Sequence, residues 1–274
     1  MKIPFNSADK AQDSPGRMTT RGSYRTAVCL IVLFLAIPVS QSRGHAAETD
    51  LATWESSLSV SLNLTRGNSE TSLVAAAVES HRKASGSDLR LKAEMNYGTA
   101  EVEKSDGTKD EEINVQNTQG SAMYRHLLSR RSYAYLNLNA LQDEIADIDY
   151  RVVLGGGGGY YLIRSETLEF SIEGGPSYIA EEVDGNRDGV FALRAAERLD
   201  YQMAEKSRLW ETVEYLVSLR DTRDYLLNAE IGAEAALTTT LALRATLQAK
   251  YDNTPASGNE EVDLVLTSGV SYRF

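Results

Sequence analysis

The fold is decided by alternating segments such as TLALRATLQAKY, residues 240–251. Alternate positions are apolar on one side and polar or charged on the other: Leu241, Leu243, Ala245, Leu247 and Tyr251 against Arg244, Thr246, Gln248 and Lys250. A period of two residues is that of a β-strand whose two faces meet different surroundings. The segment therefore predicts a strand with one apolar and one polar face.

The same alternation recurs after residue 46 and predicts twelve strands. Their approximate bounds are 54–64, 70–84, 88–100, 112–128, 131–145, 148–163, 166–181, 188–203, 207–221, 224–238, 240–252 and 260–274. Strands of soluble proteins usually have about 5–6 residues, whereas a strand that crosses a membrane needs about 9–11. We therefore expect an all-β fold over residues 47–274: a transmembrane antiparallel up-and-down β-barrel of about 12 strands.

The predicted connections differ in length between the two ends of such a barrel. Tight turns are expected at one end, and long acidic loops at the other, at 101–112, 181–189 and 251–261. Short turns on the periplasmic side and longer outer loops are typical of outer-membrane barrels. An even number of strands would leave both chain termini at the end with the tight turns.

Residues 1–46 predict a secretory signal peptide that is removed. A basic stretch precedes the 13-residue apolar segment 27–39, and small residues follow, so cleavage is expected after Ala46. The apolar segment is too short to favour a transmembrane helix, although a single N-terminal anchor is the alternative. Met18 begins a well-formed signal and is a candidate for the true start.

Composition excludes several classes of function for the mature chain. The one cysteine, Cys29, lies in the apolar segment of the signal, so disulfides and cysteine nucleophiles are excluded after cleavage. The remaining 228 residues carry 22 Lys and Arg against 37 Asp and Glu, a net charge of −15. Such an acidic chain is a poor partner for nucleic acid, and none is expected.

Five consecutive glycines, Gly155–Gly159, interrupt an apolar run inside the sixth predicted strand. A phosphate-binding loop would need a following helix and a linker would need polar flanks, but the run continues as YYLI. As part of a strand, Gly155, Gly157 and Gly159 would point inward. Because glycine allows tight bending and close approach, we expect a crease in the wall or a smooth strip facing the lumen.

The last predicted strand, EEVDLVLTSGVSYRF, alternates up to the final residue, with Tyr272 and Phe274 on its apolar face. This ending resembles the C-terminal signature of bacterial outer-membrane barrels, which the barrel-assembly machinery recognises. The resemblance implies location in the bacterial outer membrane. It also implies that the partners are outer-membrane lipid, lipopolysaccharide and the assembly machinery, with Tyr272 and Phe274 as the assembly signal.

The first predicted hairpin carries a narrower likeness. Trp54 opens an alternating strand that leads into a turn formed by Gly67, Asn68 and Ser69. This pattern resembles the YdiY-like salt-induced outer-membrane proteins, which share a domain of unknown function (DUF481), and the likeness extends over residues 54–274. The resemblance implies location and fold but no reaction.

Charged residues on the polar faces are the candidate functional residues. A Lys or Arg on the lipid face at the bilayer midplane would cost about 2–4 kcal/mol, so these side chains are expected to face the lumen and to pair there. In strand order, Arg194 and Arg198 are expected to meet Glu169 and Glu173, and Glu230 and Glu234 to approach Arg244. The full set of expected lumen charge pairs is Arg90, Lys92, Glu94, Glu169, Glu173, Arg194, Arg198, Glu230, Glu234 and Arg244.

Three functions remain open at this stage. The leading one is an outer-membrane barrel with a structural or passive pore role and no catalysis, whose lumen is either filled or lined by paired charges. A phospholipase-like barrel enzyme would need His81 or His126 at the outer rim, but both are predicted near the opposite, periplasmic end. A soluble periplasmic all-β binding domain is the third, and strand length speaks against it. The oligomeric state stays open.

No metal or cofactor is predicted. The acidic loops contain DGNRDG at 184–189, which has part of a calcium-loop pattern but lacks the bidentate Glu that calcium requires. Solvated, mutually repelling carboxylates are the simpler interpretation of these loops.

Overall fold

The computed structural model describes residues 54–65, 71–103 and 108–274, which form twelve strands. They are β1 (Trp54–Thr65), β2 (Thr71–Ala84), β3 (Ser87–Glu103), β4 (Lys109–Leu127), β5 (Ser132–Asp143), β6 (Ile148–Arg164), β7 (Leu168–Val183), β8 (Asn186–Ala204), β9 (Ser207–Ser218), β10 (Tyr225–Ala236), β11 (Leu241–Asp252) and β12 (Val262–Arg273). The predicted signal peptide and the turn of Gly67, Asn68 and Ser69 lie outside the described residues.

Each strand pairs antiparallel with its neighbours in the chain, and β12 pairs with β1, so the sheet closes on itself. The predicted up-and-down barrel of twelve strands is confirmed. Closure matters physically, because a closed sheet satisfies its backbone N–H and C=O groups without water. In the part of the chain that is described, no helix is long and apolar enough to cross a membrane.

The outside of the barrel is apolar and the inside is polar. On β1, Leu58, Val60 and Leu62 are exposed, whereas Ser59, between them, is buried in the interior. Strands of 12 residues at about 3.3 Å per residue span about 40 Å, and a tilt of about 45° leaves close to the thickness of the bilayer core. An apolar outer band over polar inward positions is the pattern of a transmembrane barrel.

The two ends of the barrel differ. The terminus end, where Trp54 and Phe274 lie, has turns of two to four residues, and the loop end has connections of up to nine residues, at 253–261. The expected long loop at 181–189 is wrong, because β7 and β8 continue to a two-residue turn. Asp184 and Gly185 form that turn with φ of 49° and 71°, the left-handed conformation that Asp and Gly tolerate best, so a tight hairpin replaces the loop.

The glycine run lies within β6, and its odd members face inward as expected. A Cβ on Gly155 would lie 2.5 Å from Asn137 Oδ1, and one on Gly159 would lie 2.3 Å from the Tyr133 ring. A Cβ on Gly157 would lie 2.2 Å from the carbonyl oxygen of Gly174, so the backbones of β6 and β7 crowd each other there. Of the two expected alternatives, the close approach of a crease is present between β6 and β7, whereas the inner side of this glycine strip is covered by neighbouring side chains and is not a smooth surface facing the lumen.

The seam where β1 meets β12 has the shortest ladder of the barrel, with five paired positions from Ser57 with Arg273 to Ser61 with Gly269. Gly269 allows the close approach there, since a Cβ on it would lie 2.0 Å from the carbonyl oxygen of Val60. Beyond the ladder, side chains continue the pairing, because Ser268 Oγ lies 2.8 Å from Asn63 Oδ1. The backbone N–H of Phe274 donates to the carbonyl of Ser56 at 3.0 Å and anchors the last residue.

Candidate functional site

The lumen contains a cavity of about 1620 Å³ whose lining includes residues from both ends of the barrel. Glu55 and Arg273 line it at the terminus end, and Pro255 and Gly258 line it at the loop end. Between these ends, charged side chains from non-adjacent strands approach one another across the interior. The lumen is therefore the candidate functional site.

A buried arginine network lies against one side of the lumen. Arg125 Nη2 is 2.6 Å from Glu173 Oε1. Arg194 contacts two glutamates: its Nη1 is 2.9 Å from Glu173 Oε2, and its Nε is 2.5 Å from Glu214 Oε2. The Tyr133 hydroxyl also donates to Glu173 Oε1, at 3.0 Å. Two cations and two anions thus alternate, and every member is nearly excluded from solvent. Loss of one partner would leave a buried charge uncompensated.

The glycine strip makes this network possible. Arg125 belongs to β4 and Glu173 to β7, so β5 and β6 lie between them in the wall. Tyr133, Gly159 and Glu173 are direct partners in register across β5, β6 and β7. Because Gly159 has no side chain, the Tyr133 ring lies over β6 and its hydroxyl reaches Glu173. The glycine run therefore shapes the polar interior.

A second group of contacts crosses the middle of the lumen. Lys92 Nζ lies 2.8 Å from Glu230 Oε2 and 2.8 Å from Glu94 Oε2. Lys92 is on β3 and Glu230 on β10, with four strands between them by the shorter way around the barrel. The contact therefore spans the interior. Trp210 Nε1 donates to Glu230 at 2.8 Å, and Gln248 donates to both Glu94 and Glu230 at 3.1 Å.

Further ion pairs cross the lumen on either side of this bridge, among them the following two. Arg90 of β3 lies 3.5 Å from Asp200 of β8, towards the terminus end. Arg151 of β6 lies 2.9 Å from Asp252 of β11, towards the loop end. Four strands separate each pair in the wall. The passage is thus bridged at three levels, which leaves a cavity but narrows any continuous path.

The structure brings some predicted partners together and separates others. Arg194 meets Glu173 as expected. Arg198 meets neither Glu169 nor Glu173, and its guanidinium instead lies 2.9 Å from Asp200, two residues along its own strand. Opposite Arg198 on β7 stands Ser171, so both glutamates are only diagonal neighbours. Glu169 has Lys83 and Arg164 near it instead, each at 3.9 Å.

Glu230 and Glu234 approach Arg244 as predicted, but neither forms its ion pair. Glu234 and Arg244 are opposite in register, yet Glu234 pairs with Arg273 of β12. Arg244 lies 4.6 Å from the centre of the Trp210 ring and 2.5 Å from Glu79 of β2. Stacking over the ring directs the guanidinium across the seam towards β2, away from its register partner.

Several important lumen residues were missed by the sequence prediction: Glu79, Arg125, Asp200 and Trp210. Arg125 had a usable signal, since Asn117, Gln119 and Arg125 share one alternate phase of β4 and the polar members fix that phase as inward. The signal for Glu79 was weaker, because the residues that precede it on the same face, Ala75 and Ala77, are not polar and do not indicate which face points inward.

The histidines of the enzyme alternative lie at the terminus end. His81 faces inward, with Nε2 3.1 Å from Asp88 Oδ2, and His126 is exposed on the outer surface. No group of three or more His, Cys, Asp or Glu side chains suited to a metal occurs in residues 54–65, 71–103 and 108–274. At the same end, the rings of Tyr272 and Phe274 stack at 6.2 Å on the exposed outer surface.

Among solved structures, this chain is similar to the NanC porin at 10% identity, with 80% of this chain and 100% of that chain covered and a TM-score of 0.49. It is similar to an outer membrane channel from Pseudomonas putida F1 at 9% identity, with 84% and 97% covered and a TM-score of 0.46. The translocator domain of the autotransporter NalP from Neisseria meningitidis matches at 17% identity, with 81% and 87% covered and a TM-score of 0.43.

At these TM-scores, function has to be inferred from this chain's own residues. The comparison with curated proteins found no match. The family model described as "Protein of unknown function, DUF481" matches residues 58–274, which include every strand of the barrel except the first four residues of β1. The chain therefore belongs to the DUF481 family.

Proposed function

We propose that this protein is a narrow, passive channel of the bacterial outer membrane for small polar solutes and ions. The observation that carries the proposal is the lumen itself. It has a cavity of about 1620 Å³ lined from both ends, and it is crossed by ion pairs such as Lys92 with Glu230. A purely structural barrel would have no need for a charged interior, because apolar side chains of similar volume often replace buried ion pairs with equal or greater stability.

The bridges limit what passes. A twelve-stranded barrel is narrower than the 16–18-stranded porins that hold an open aqueous channel. Paired charges on opposite walls narrow it further at the levels of Arg90, Lys92 and Arg151. Water and small solutes are therefore the expected cargo, and larger sugars are expected to be excluded.

Outer-membrane location and export belong to the same proposal. The apolar outer band, the terminal aromatic pair Tyr272 and Phe274, and the expected signal peptide support it. Outer-membrane lipid, lipopolysaccharide and the barrel-assembly machinery are then the expected partners. No catalytic role is proposed, because the contact of His81 with Asp88 lies at the terminus end, away from the outer rim that lipid hydrolysis would require.

Solute flux into liposomes tests the channel role. The mature barrel is refolded into liposomes, and swelling is followed in glycine and in a trisaccharide. We expect swelling in glycine above that of protein-free liposomes, and none above that level in the trisaccharide. The matched control is a refolded barrel whose exposed loop arginine is changed, Arg223→Gln, which should behave as the unmodified protein. Equal rates in glycine with and without the barrel would contradict a channel and favour a structural role.

A further inference from the structure

Three arginines converge on one aspartate in the lumen near the terminus end. Asp200 Oδ2 lies 2.9 Å from Arg198 Nη2 and 3.5 Å from Arg90 Nη1, and Asp200 Oδ1 accepts from Arg208 Nε at 2.6 Å. We call Arg90, Arg198 and Arg208 the three-arginine cluster. They come from β3, β8 and β9, so the cluster joins two opposite walls of the barrel.

The cluster has more donors than its acceptors can use. Each guanidinium carries five N–H donors, while the carboxylate of Asp200 offers about four acceptor sites. Two other acceptors contribute at longer distances: Asp88 Oδ1 lies 3.3 Å from Arg90 Nε, and Thr212 Oγ1 lies 3.4 Å from Arg198 Nη1. Many N–H groups of the cluster therefore remain available to a further acceptor.

Charge is also unbalanced there. The buried arginine network matches its two arginines with two glutamates. The three-arginine cluster forms its ion pairs with Asp200 and Asp88, and Asp88 is shared with His81, 3.1 Å away. The two other carboxylates close by have cations of their own: Glu234, opposite Arg208 in register, pairs with Arg273, and Glu169, opposite Asp200, lies near Lys83 and Arg164. The local charge is thus positive in a chain that is acidic overall. A lumen with low-dielectric walls concentrates such a potential and attracts ions of the opposite sign.

The cluster is open to the cavity. The side chains of Arg90, Arg198 and Arg208 are 22%, 23% and 39% exposed, and all three line the cavity together with Asp200. Arg208 lies 5.4 Å from the centre of the Trp210 ring, which holds its guanidinium in place. The site is therefore both positioned and accessible to a solute in the lumen.

We propose that the three-arginine cluster is a binding site for a small anion that carries a carboxylate or phosphate group. The planar guanidinium matches both groups with paired N–H donors, so both are the expected ligand chemistry. This inference rests on the proposed function to the extent that the anion reaches the cluster through the lumen. In the channel, the site would make the terminus end select anions.

Equilibrium binding to the folded mature barrel in detergent tests the site without any need for conduction. Isothermal titration calorimetry with citrate and, separately, with inorganic phosphate distinguishes carboxylate from phosphate recognition. We expect saturable binding of at least one of the two, weakening as sodium chloride is added because the interaction is between opposite charges. Absence of saturable binding of both at low salt would overturn the proposal.

Variants with opposite expected effects on anion binding distinguish a ligand site from a structural role. Arg198→Gln with Arg208→Gln should weaken binding at least tenfold, while Arg223→Gln, in an exposed loop, should leave it unchanged. Asp200→Asn removes the competing carboxylate and should strengthen binding. Heat-modifiable migration verifies that each variant is folded, and if Asp200→Asn does not fold, the double arginine variant decides. Unchanged binding in the folded double variant would overturn the proposal.

Failure of the channel and failure of the anion site give different results. If the barrel binds citrate or phosphate but liposomes that contain it do not swell, the anion site is supported and the channel role is contradicted. If the barrel conducts glycine but binds neither anion, the channel role is supported and the anion site is contradicted.

Discussion

Alanine substitutions at two adjacent glycines of β6 test how closely β6 and β7 approach each other, because the two positions face opposite sides of the wall. A Cβ on Gly157 would lie 2.2 Å from the carbonyl oxygen of Gly174 and 2.8 Å from the Cα of Gly175. A Cβ on Gly158 would meet nothing within 4 Å. The two variants, Gly157→Ala and Gly158→Ala, have the same composition and differ only in which face receives the methyl group.

The expected magnitude follows from these distances. Ordinary contact for a Cβ begins at 3.4 Å, so the backbones of β6 and β7 would have to separate by about 1 Å at Gly157. Overpacking of this kind costs about 1–3 kcal/mol, and weakening one or two ladder hydrogen bonds adds about 0.5–1.5 kcal/mol each. Gly157→Ala should therefore lower the free energy of unfolding by about 2–4 kcal/mol.

Gly158→Ala should be neutral or stabilising by up to about 1 kcal/mol, because alanine restricts the unfolded chain and nothing opposes the methyl group in the barrel. Urea unfolding of both variants, refolded in lipid vesicles and followed by tryptophan fluorescence, measures the difference. Equal unfolding midpoints would refute the close approach of β6 and β7 at Gly157.

Three other predictions concern the buried network, the chain end and the loop end. Arg194→Met should lower the free energy of unfolding by about 3–5 kcal/mol, whereas Arg223→Met, at an exposed loop pair, should change it by less than about 1 kcal/mol; similar urea midpoints would contradict this. Phe274→Asp should reduce outer-membrane levels far more than Ala256→Asp in the longest loop, and equal levels in fractionated cells would refute an assembly signal. The hydrogen bond from Arg223 lowers the pKa of Asp221 below its usual value. The ionised carboxylate therefore stabilises the folded loop at pH values above the unfolded pKa, and this stabilisation is lost as the pH falls through the folded pKa. A carbon NMR titration in which Asp221 has the same midpoint in Arg223→Ala as in the unmodified protein would contradict this.

Strand count and facing were predictable because they depend on local periodicity. Alternation in segments such as 240–251 determines which side chains face the lipid, and the same phase placed Gly155 and Gly159 inward. A long loop at 181–189 was predicted wrongly because its charged residues suggested solvent, although Asp184 and Gly185 carried the signal of a tight hairpin. Charged residues continue these strands beyond the bilayer core.

Ion-pair partners were not predictable because they depend on the register between neighbouring strands and on how far each side chain extends across the lumen. Strand order places Arg198 beside β7, but the register sets it opposite Ser171, and its guanidinium turns to Asp200 on its own strand. Lys92 and Glu230 are 138 residues apart in sequence and four strands apart in the wall, so only closure of the barrel reveals their contact. Arg194 was the exception, since Gly175 opposite it leaves Glu173 within reach.

Single-channel conductance in a planar lipid bilayer tests the central claim most directly. The unmodified barrel should show a small conductance, because ion pairs bridge its lumen. Lys92→Ala with Glu230→Ala removes the middle bridge and its charges together, so it should raise the conductance clearly, while Arg223→Ala should not. A large, steady conductance in the unmodified barrel that the double substitution leaves unchanged would contradict a lumen restricted by paired charges.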